Sequence, residues 1–343
     1  MSEAKKKTFK LDDDKLARFE GRIGEITGET LLQSNIEKIP CLVDPFLQQV
    51  GLACLAGSSD VGKSTLLRQL IITIVLREKY FLGFAINAIH YNGIYVTTED
   101  DQAAISFLLH KQAGHRRPED LKNLRFIFDY ENLLSELNDK LTAWPADIII
   151  IDCFADAFGG DLKDTQKIRT FLHPYQLLAA KHQCLILFLH HTGKRTENLE
   201  PSKNNLLAGQ GFEAKMRLVI ELRADAMNPT HRHLCIVKGN YLPAKHKRES
   251  HVLSFDEATF NFSNTNERTP FELLAKQTDT DNSKVKWEQA KELKAEGLTY
   301  QQIAERIGYG SKGSISKLFD KAISMGWDKN VSDNVSDGNG GNE

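Results

Sequence analysis

The sequence lacks long apolar runs and contains few cysteines. No apolar stretch has the length that a membrane-spanning helix needs, and the first residues, MSEAKKKTFKLDDDK, carry charges without an apolar signal core. The five cysteines are scattered, odd in number and mostly set in apolar runs, which indicates reduced thiols and argues against disulfides or a zinc site: Cys41, Cys54, Cys153, Cys184 and Cys235. We therefore expect a cytoplasmic protein that does not enter a membrane.

The sequence also lacks an excess of either charge. Its formal net charge is −2 with 26% charged residues, which excludes a polycation that would coat nucleic acid indiscriminately, so any contact with DNA has to be local. A hydrophobic content of 41% over 343 residues suffices for one full-sized α/β domain and a small appendage.

Composition shifts along the chain predict five segments. Residues 1–36 form a charged arm, and residues 37–262 alternate short apolar runs with amphipathic stretches, as in βα units that build a mainly parallel sheet. Strands are expected at 50–56, 93–98, 147–152, 184–190, 217–223 and 233–238. A polar linker at 263–283, a helical segment at 284–325 and a disordered tail at 326–343 follow.

A phosphate loop follows the first of these strands. The sequence fits G-x-x-x-x-G-K-[ST] between an apolar run and a breaker-free helical stretch, which is the strand–loop–helix context of the motif. Backbone N–H groups of the loop would bind ATP phosphates, Lys63 would reach the β- and γ-phosphates, and the Ser64 hydroxyl would ligate Mg²⁺. The predicted ATP-binding residues are Gly57, Ser58, Ser59, Asp60, Val61, Gly62, Lys63, Ser64 and Thr65.

Carboxylates end two further strands. ADIIIID delivers Asp152 at the end of a strand buried on both faces, where it would hold Mg²⁺. NGIYVTTED ends in Glu99, Asp100 and Asp101, and Glu99 is the candidate base or orienting group for the attacking water. Three acids in a row also occur at an ordinary solvated helix N-terminus, so that alternative stays open.

Two histidines end the strand in CLILFLHHTGK. Because adjacent strand residues point to opposite faces, His190 and His191 are not expected to share a metal. One is expected to face the nucleotide and contact the γ-phosphate, and the other to pack. A hydrogen-bonded core histidine is the alternative.

The order of these motifs resembles the RecA-like hexameric ATPases, most closely the RepA-type replicative helicases of plasmids and mobile elements. The resemblance covers residues 37–262 and includes HHTGK, GQGFEAKMRLVIELR and VKGNY. It implies that Glu99 is the catalytic glutamate, Asp152 the Walker B aspartate and His191 or His190 the γ-phosphate sensor. It also implies a hexameric ring with ATP between subunits.

The same resemblance implies basic residues donated across the subunit interface, and Arg217 and Lys238 match those positions best. Ala208-Gly209-Gln210 departs from the Arg-Gly-Ser of the relatives, and Arg217 is alternatively an ordinary solvent-facing charge. The long polar loop after His191 carries basic residues that would follow a DNA backbone in a central channel, or belong to a flexible surface loop: Lys194, Arg195 and Lys203.

Residues 284–325 are expected to form three helices, with Thr299 capping the second and Ser311 the third. They resemble a resolvase-type helix-turn-helix, a small all-α domain. The third helix would read duplex DNA with its outward residues Lys312, Ser314, Lys317 and Lys321. A small bundle that binds another protein is the alternative.

Together these features favour an ATP-driven motor that acts on single-stranded or duplex DNA, as a replicative helicase or initiator of a mobile element. Two rival functions remain open. One is a DNA-binding regulator switched by nucleotide without unwinding, and the other is a recombination or transposition ATPase that forms filaments on DNA.

Overall fold

The computed structural model describes residues 26–193, 196–207, 209–275 and 279–327. The chain divides into two compact units, Met1–Ala275 and Lys276–Glu343. Most of the predicted arm, the candidate DNA contacts Lys194 and Arg195, and nearly all of the predicted tail lie outside the described residues.

The strands of the larger unit, in chain order, are β1 Cys41–Val43, β2 Leu47–Gln48, β3 Gly51–Gly57, β4 Tyr80–Phe81, β5 Phe84–Ala85, β6 Gly93–Thr97, β7 Leu124–Ile127, β8 Ile148–Asp152, β9 Leu185–His191, β10 Leu218–Ala224, β11 His231–Gly239, β12 Glu249–Asp256 and β13 Asn261–Pro270. Its α-helices are α1 Gly28–Gln33, α2 Lys63–Val75, α3 Gln102–Ala113, α4 Leu133–Ala143, α5 Phe154–Phe158, α6 Thr165–Lys181 and α7 Gly209–Glu213. Short 3-10 helices lie at Pro118–Leu121, Thr196–Asn198, Lys203–Asn205, Ala244–Lys247 and Phe271–Leu274.

A central sheet organises this unit. Within the described residues it has nine strands in the order β13-β12-β11-β10-β3-β9-β8-β6-β7. The neighbours from β10 to β7 pair in parallel, whereas β11, β12 and β13 extend the sheet antiparallel. β1 with β2 and β4 with β5 form two small hairpins. The predicted fold class, an α/β core with a mainly parallel sheet and a helical C-terminal region, is confirmed.

Helices cover both faces of the sheet, and the strand sequences show why. All five residues of β8, IIIID, are buried, as expected for a parallel strand with no solvent-facing side. Along β3, Ala53 and Leu55 join one apolar cluster with helix α2, while Leu52 and Cys54 join the opposite cluster with α4 and α6. The period-2 alternation therefore fills two cores from one strand.

The end of the larger unit differs from the prediction. Residues 263–283 were expected to be a linker after a core ending at 262, but Asn261–Pro270 form strand β13 at the edge of the sheet. β13 pairs with β12 along its length, from Asp256 with Asn261 to Glu249 with Pro270. Strands β7, β12 and β13 had not been predicted.

The smaller unit contains α8 Asp279–Ala295, α9 Tyr300–Arg306 and α10 Lys312–Ser324. Thr299 caps α9 in a reciprocal capping box with Gln302, and the Ser311 side chain accepts from the Ser314 N–H at the start of α10. The unit has its own apolar core, formed by Trp287, Ala290, Ile303, Ala304, Ile315, Leu318 and Ala322. Across the described ranges of the chain, we find no helix both long and apolar enough to cross a membrane.

Candidate active site

The phosphate loop connects β3 to α2 in a tight backbone path. Asp60 and Gly62 adopt left-handed conformations with φ of 61° and 93°. A Cβ on Gly57 would lie 2.5 Å from the Leu222 carbonyl oxygen of β10, so only glycine fits there. These features turn the chain directly into the N-terminus of α2, where free N–H groups favour an anion.

Strand β13, absent from the sequence prediction, supports this loop. A Cβ on Gly62 would lie 2.8 Å from the Phe262 Cζ, so the edge of the aromatic ring packs directly against the loop. The Gln69 side chain of α2 accepts from the Phe262 N–H at 2.7 Å and donates to its carbonyl at 2.8 Å. The sheet edge therefore fixes both the loop and the first turns of α2.

Lys63 lies at the start of α2 and is only 5% exposed. Its Nζ donates to the Ser58 carbonyl within the loop at 2.6 Å. Burial lowers the pKa of this ammonium, and the nearby carboxylates of Asp152 and Glu99 act in the opposite direction. The charge on Lys63 is thus held beside the loop by two acids from neighbouring strand ends.

Asp152 is 3% exposed at the end of β8. The Tyr95 hydroxyl of β6 donates to its Oδ2 at 2.6 Å, whereas its Oδ1 is buried without a hydrogen-bond partner among the described residues. Burial raises the pKa of Asp152, while Tyr95 and the adjacent Ser64 hydroxyl lower it. A buried carboxylate oxygen with spare lone pairs beside a serine hydroxyl is a donor set that fits Mg²⁺.

The three acids after β6 have separate environments. Asp101 caps α3 by accepting from the Ala104 N–H at 2.8 Å, which is the helix N-terminus alternative realised at one residue. Asp100 lies 3.6 Å from the guanidinium of the buried Arg68. The pKa of Glu99 is raised, first by burial and then by Asp152. Of the three, Glu99 has the environment of a site residue.

The two histidines of β9 separate as their opposite orientations require. His190 is fully buried, with its ring centroid 5.1 Å from that of Phe154 and 4.7 Å from that of Phe212, and burial lowers its pKa to about 3. It has no surface with which to touch a nucleotide, so the candidate role for His190 at the γ-phosphate is wrong. His191 is partly exposed and lies beside Glu99.

Arg217 and Lys238 lie at the opposite edge of the sheet from the phosphate loop. Arg217 is exposed, and its N–H donates to the Leu52 carbonyl near the start of β3, about 16 Å of strand from Gly57. Lys238 pairs in register with Val219 of β10 near the same edge. The structure does not bring either residue to the phosphate loop of its own chain.

Lys238 is tied to its own chain by Glu213 of α7. Its Nζ lies 2.7 Å from Glu213 Oε1 and donates to the Glu213 carbonyl at 2.8 Å. The candidate DNA contact Lys203 reaches the same carboxylate at 3.3 Å. Lys203 and Lys238, both predicted to be functional, therefore pair with the same carboxylate in this conformation.

The polar loop after His191 is anchored by buried charges beneath it. The Arg223 guanidinium donates to the carbonyls of Thr196 and Leu199, and it pairs with Glu221 at 2.7 Å. Glu221 in turn accepts from the Ser202 N–H at 3.0 Å. These contacts connect the described part of the loop to β10.

The four predicted side chains of the candidate recognition helix α10 differ in exposure and contacts. Lys312 and Lys317 are exposed. Lys321 donates to the Ser283 hydroxyl of α8 at 3.0 Å, and the Ser314 hydroxyl lies 3.2 Å from that of the cap residue Ser311. Both side chains remain partly exposed, so their role at DNA stays a prediction.

Sequence reasoning missed several polar residues around the loop. Arg232 of β11 donates from Nε to the Val61 carbonyl at 3.0 Å. Arg68 donates to the Gln112 side chain at 3.1 Å, and Gln112 donates to the Thr65 carbonyl at 2.9 Å. Each is a single polar residue in an apolar or unremarkable stretch, so no spacing pattern signals it.

This arrangement of loop, lysine and strand-end acids has counterparts among known proteins. Residues 25–197, half of the chain, match the AAA domain family. The chain belongs to the AAA domain family. The match contains the phosphate loop, Glu99, Asp152 and His191, and it ends before Arg217 and Lys238. An AAA-type ATPase domain implies nucleotide binding at the phosphate loop.

A solved structure shares the fold of this AAA domain. The chain described as "ATPase Domain of G40P" superposes with a TM-score of 0.53 at 13% identity, covering 74% of this chain and 98% of that one. At this identity the likeness concerns the fold alone. No curated protein matches the sequence.

Proposed function

We propose that this chain is an ATP-hydrolysing motor that acts on DNA in the cytoplasm, as a replicative helicase or replication initiator of the RepA type from a mobile element. One observation carries the ATPase part of the proposal. The buried Lys63, the half-satisfied Asp152 and Glu99 meet where β3, β8 and β6 end, beside the phosphate loop. Parallel strands bring these residues to one edge, as ligand sites in such sheets require.

In the proposed reaction, loop N–H groups and the Lys63 ammonium bind the phosphates of ATP. Ser64 and Asp152 hold Mg²⁺, which when bound supplies positive charge that neutralises the transferring phosphoryl group. Glu99 orients the attacking water and accepts its proton. A pKa raised by burial and by Asp152 suits that role, because it brings the carboxylate closer to the pH at which a base works best. His191, beside Glu99, is the proposed sensor of the γ-phosphate.

The proposed site is completed by a second copy of the chain. Arg217 and Lys238 are too far from their own phosphate loop, and Arg217 is exposed and able to reach a neighbouring subunit. Repetition of such a head-to-tail contact closes a ring, and the resemblance favours six subunits.

DNA is proposed to contact the smaller unit first. Lys312 and Lys317 are exposed on α10, the candidate recognition helix of a helix-turn-helix spanning 284–325. In the larger unit Lys203 shares the Glu213 carboxylate with Lys238, whereas Lys312 and Lys317 have no carboxylate partner among the described residues, which favours the C-terminal unit as the duplex-binding part. Lys194 and Arg195 remain candidates for contact with a single strand in the ring channel.

Strand displacement on forked DNA, measured with DNA-stimulated ATP turnover and with particle mass with and without ATP, tests the proposal. We expect displacement that requires ATP and is lost in Lys63→Ala, since that variant lacks the buried charge at the phosphates. DNA-stimulated turnover without displacement would instead support the nucleotide-switched regulator or the filament-forming ATPase. Normal turnover by Lys63→Ala would contradict the assignment of the phosphate loop.

A further inference from the structure

Three chemically different donor groups converge at the ends of neighbouring strands. A carboxylate oxygen of Glu99, the Sγ of Cys153 and a ring nitrogen of His191 all lie within 4.8 Å of one another. Glu99 follows β6, Cys153 follows β8 directly, and His191 ends β9. Because β6, β8 and β9 are adjacent and parallel, the sheet itself holds the three donors together.

This donor set has the chemistry of a zinc site. Zn²⁺ binds thiolate sulfur, imidazole nitrogen and carboxylate oxygen at about 2.0–2.3 Å in a tetrahedron, which sets the donors roughly 3.3–3.7 Å apart. The largest distance between the donor atoms, up to 4.8 Å in the structure, therefore has to shorten by about 1 Å on binding. Glu99 is exposed and can move by side-chain rotation, while Cys153, 2% exposed, is fixed. Mg²⁺ has little affinity for sulfur, so the set discriminates between the two ions.

The surrounding charges favour a cation on balance. The carboxylate of Asp156 lies near enough to act on Glu99, Cys153 and His191, and Asp152 acts on Glu99 and His191. Lys63 opposes them from the phosphate loop. Two further acids against one ammonium favour a bound cation, which has to displace the proton of a thiol whose pKa burial raises to about 12.

We propose that Glu99, Cys153 and His191 bind Zn²⁺ when ATP is absent, and that bound zinc inhibits ATP hydrolysis. Three protein ligands leave the fourth position for water, as in sites that are not purely structural. On binding, the Cys153 S–H bond breaks, the sulfur coordinates the ion and the proton leaves to solvent. Glu99, once a ligand, no longer orients the attacking water. The inhibitory consequence rests on the proposed role of Glu99, whereas the binding itself does not.

Cobalt replaces zinc as the probe, because a Co²⁺–thiolate bond absorbs strongly in the near ultraviolet and Co²⁺ on oxygen ligands does not. Co²⁺ is titrated into the full chain without nucleotide or Mg²⁺. We expect a saturable band that Zn²⁺ abolishes by displacement and that Cys153→Ser lacks. Cys41→Ser is the matched control. Cys41, at 8% exposed, is the most accessible of the described cysteines, and it lies on β1, which is not one of the three strands that carry the proposed ligands. That variant should keep the full band.

A second ligand variant guards against a folding defect in Cys153→Ser. His191→Asn retains the Cys153 thiol but removes a direct ligand. It should weaken Co²⁺ binding by more than about tenfold, because losing even a residue that only hydrogen-bonds to a metal ligand costs about that much. In the Mg²⁺-dependent ATPase assay, Zn²⁺ should inhibit the unmodified chain far more than Cys153→Ser, each compared with its own zinc-free rate.

Two results would overturn the zinc site. One is a Co²⁺–thiolate band that survives in Cys153→Ser, and the other is a band lost in Cys41→Ser. Failure of this inference is distinguishable from failure of the proposed function. A band without any ATP turnover would contradict only the ATPase proposal, and robust turnover without a band would contradict only the zinc site.

Discussion

Replacing Phe262 with Leu tests whether the edge strand supports the phosphate loop. The change keeps an apolar side chain at a position that is 4% exposed but removes the ring that packs against Gly62. Replacing a buried aromatic side chain with a smaller apolar one leaves a cavity and costs roughly 1–3 kcal/mol of unfolding free energy. If about 1 kcal/mol of that loss falls on the loop conformation that binds phosphate, the Kd for ATP rises roughly fivefold.

Phe271→Leu is the matched control. Phe271 is 7% exposed and follows the last residue of β13, at the opposite end of the strand from Phe262. Urea denaturation should show similar losses of stability for both variants, while titration with a fluorescent ATP analogue should show weaker binding for Phe262→Leu alone. Equal affinities in the two variants would refute the claim that the Phe262 ring supports the phosphate loop.

Four further outcomes follow from the structure. Glu99→Gln should bind ATP normally but hydrolyse it far more slowly in single-turnover assays, and unchanged turnover would point to Asp100. Arg217→Ala and Lys238→Ala should bind ATP with turnover lowered by about 10³–10⁵, and mixing either with Lys63→Ala should restore some activity at hybrid interfaces. If no mixture exceeds its separate components, the shared site is wrong. Truncation after Ala275 should leave basal ATPase intact and remove duplex binding measured by anisotropy at fixed salt; full affinity would turn attention to the 192–211 loop. Tyr95→Phe should lose about 1.5–3 kcal/mol of stability at neutral pH without metal, because it removes a hydrogen bond to a buried carboxylate. Burial raises the pKa of Asp152 in the folded chain. The destabilisation by its buried charge is therefore absent at acid pH, where the group is protonated, and complete at pH values above its folded-state pKa. Tyr175→Phe is the control, because Tyr175 is buried and its hydroxyl has no partner among the described residues. Its effect on stability should not depend on pH in this way.

The parallel core was predictable because its strands leave strong local signals. β8 is a run of isoleucines ending in one acid, and β3 runs directly into the glycines and lysine of the loop. Such strands are buried on both faces, so their apolar character alone locates them. The loop motif identified Lys63, and the acids at the carboxyl ends of the next strands, Asp152 and Glu99, were predicted to meet it at the same edge of the sheet.

The edge strands were not predictable in the same way. In β13, NFSNTNERTP, only Phe262 is fully buried, because an edge strand leaves much of its length in solvent. Its composition is that of a linker. Pairing with β12 and the contact with Gly62 give it structure, and neither is visible in local sequence.

Single polar residues within apolar elements were missed for a related reason. Tyr95 lies in a buried strand and Arg68 in an apolar helix, and the local sequence around each gives no sign of a polar partner. Their partners Asp152 and Gln112 are distant in sequence. Only the fold determines that these groups meet.

The opposite placement of Arg217 and Lys238 limits what a single copy of the chain can do. About 16 Å of strand separates Arg217 from the phosphate loop, further than any side chain extends, so a role at ATP is possible only on another copy. Lys238 has a further requirement, because it is bound to Glu213 at 2.7 Å. If Lys238 moved to another subunit, the half-buried Glu213 carboxylate would keep only its contact with Lys203. An interface that recruits Lys238 must therefore strengthen the Lys203 contact or supply Glu213 with a new cation, which couples the proposed interface to the polar loop.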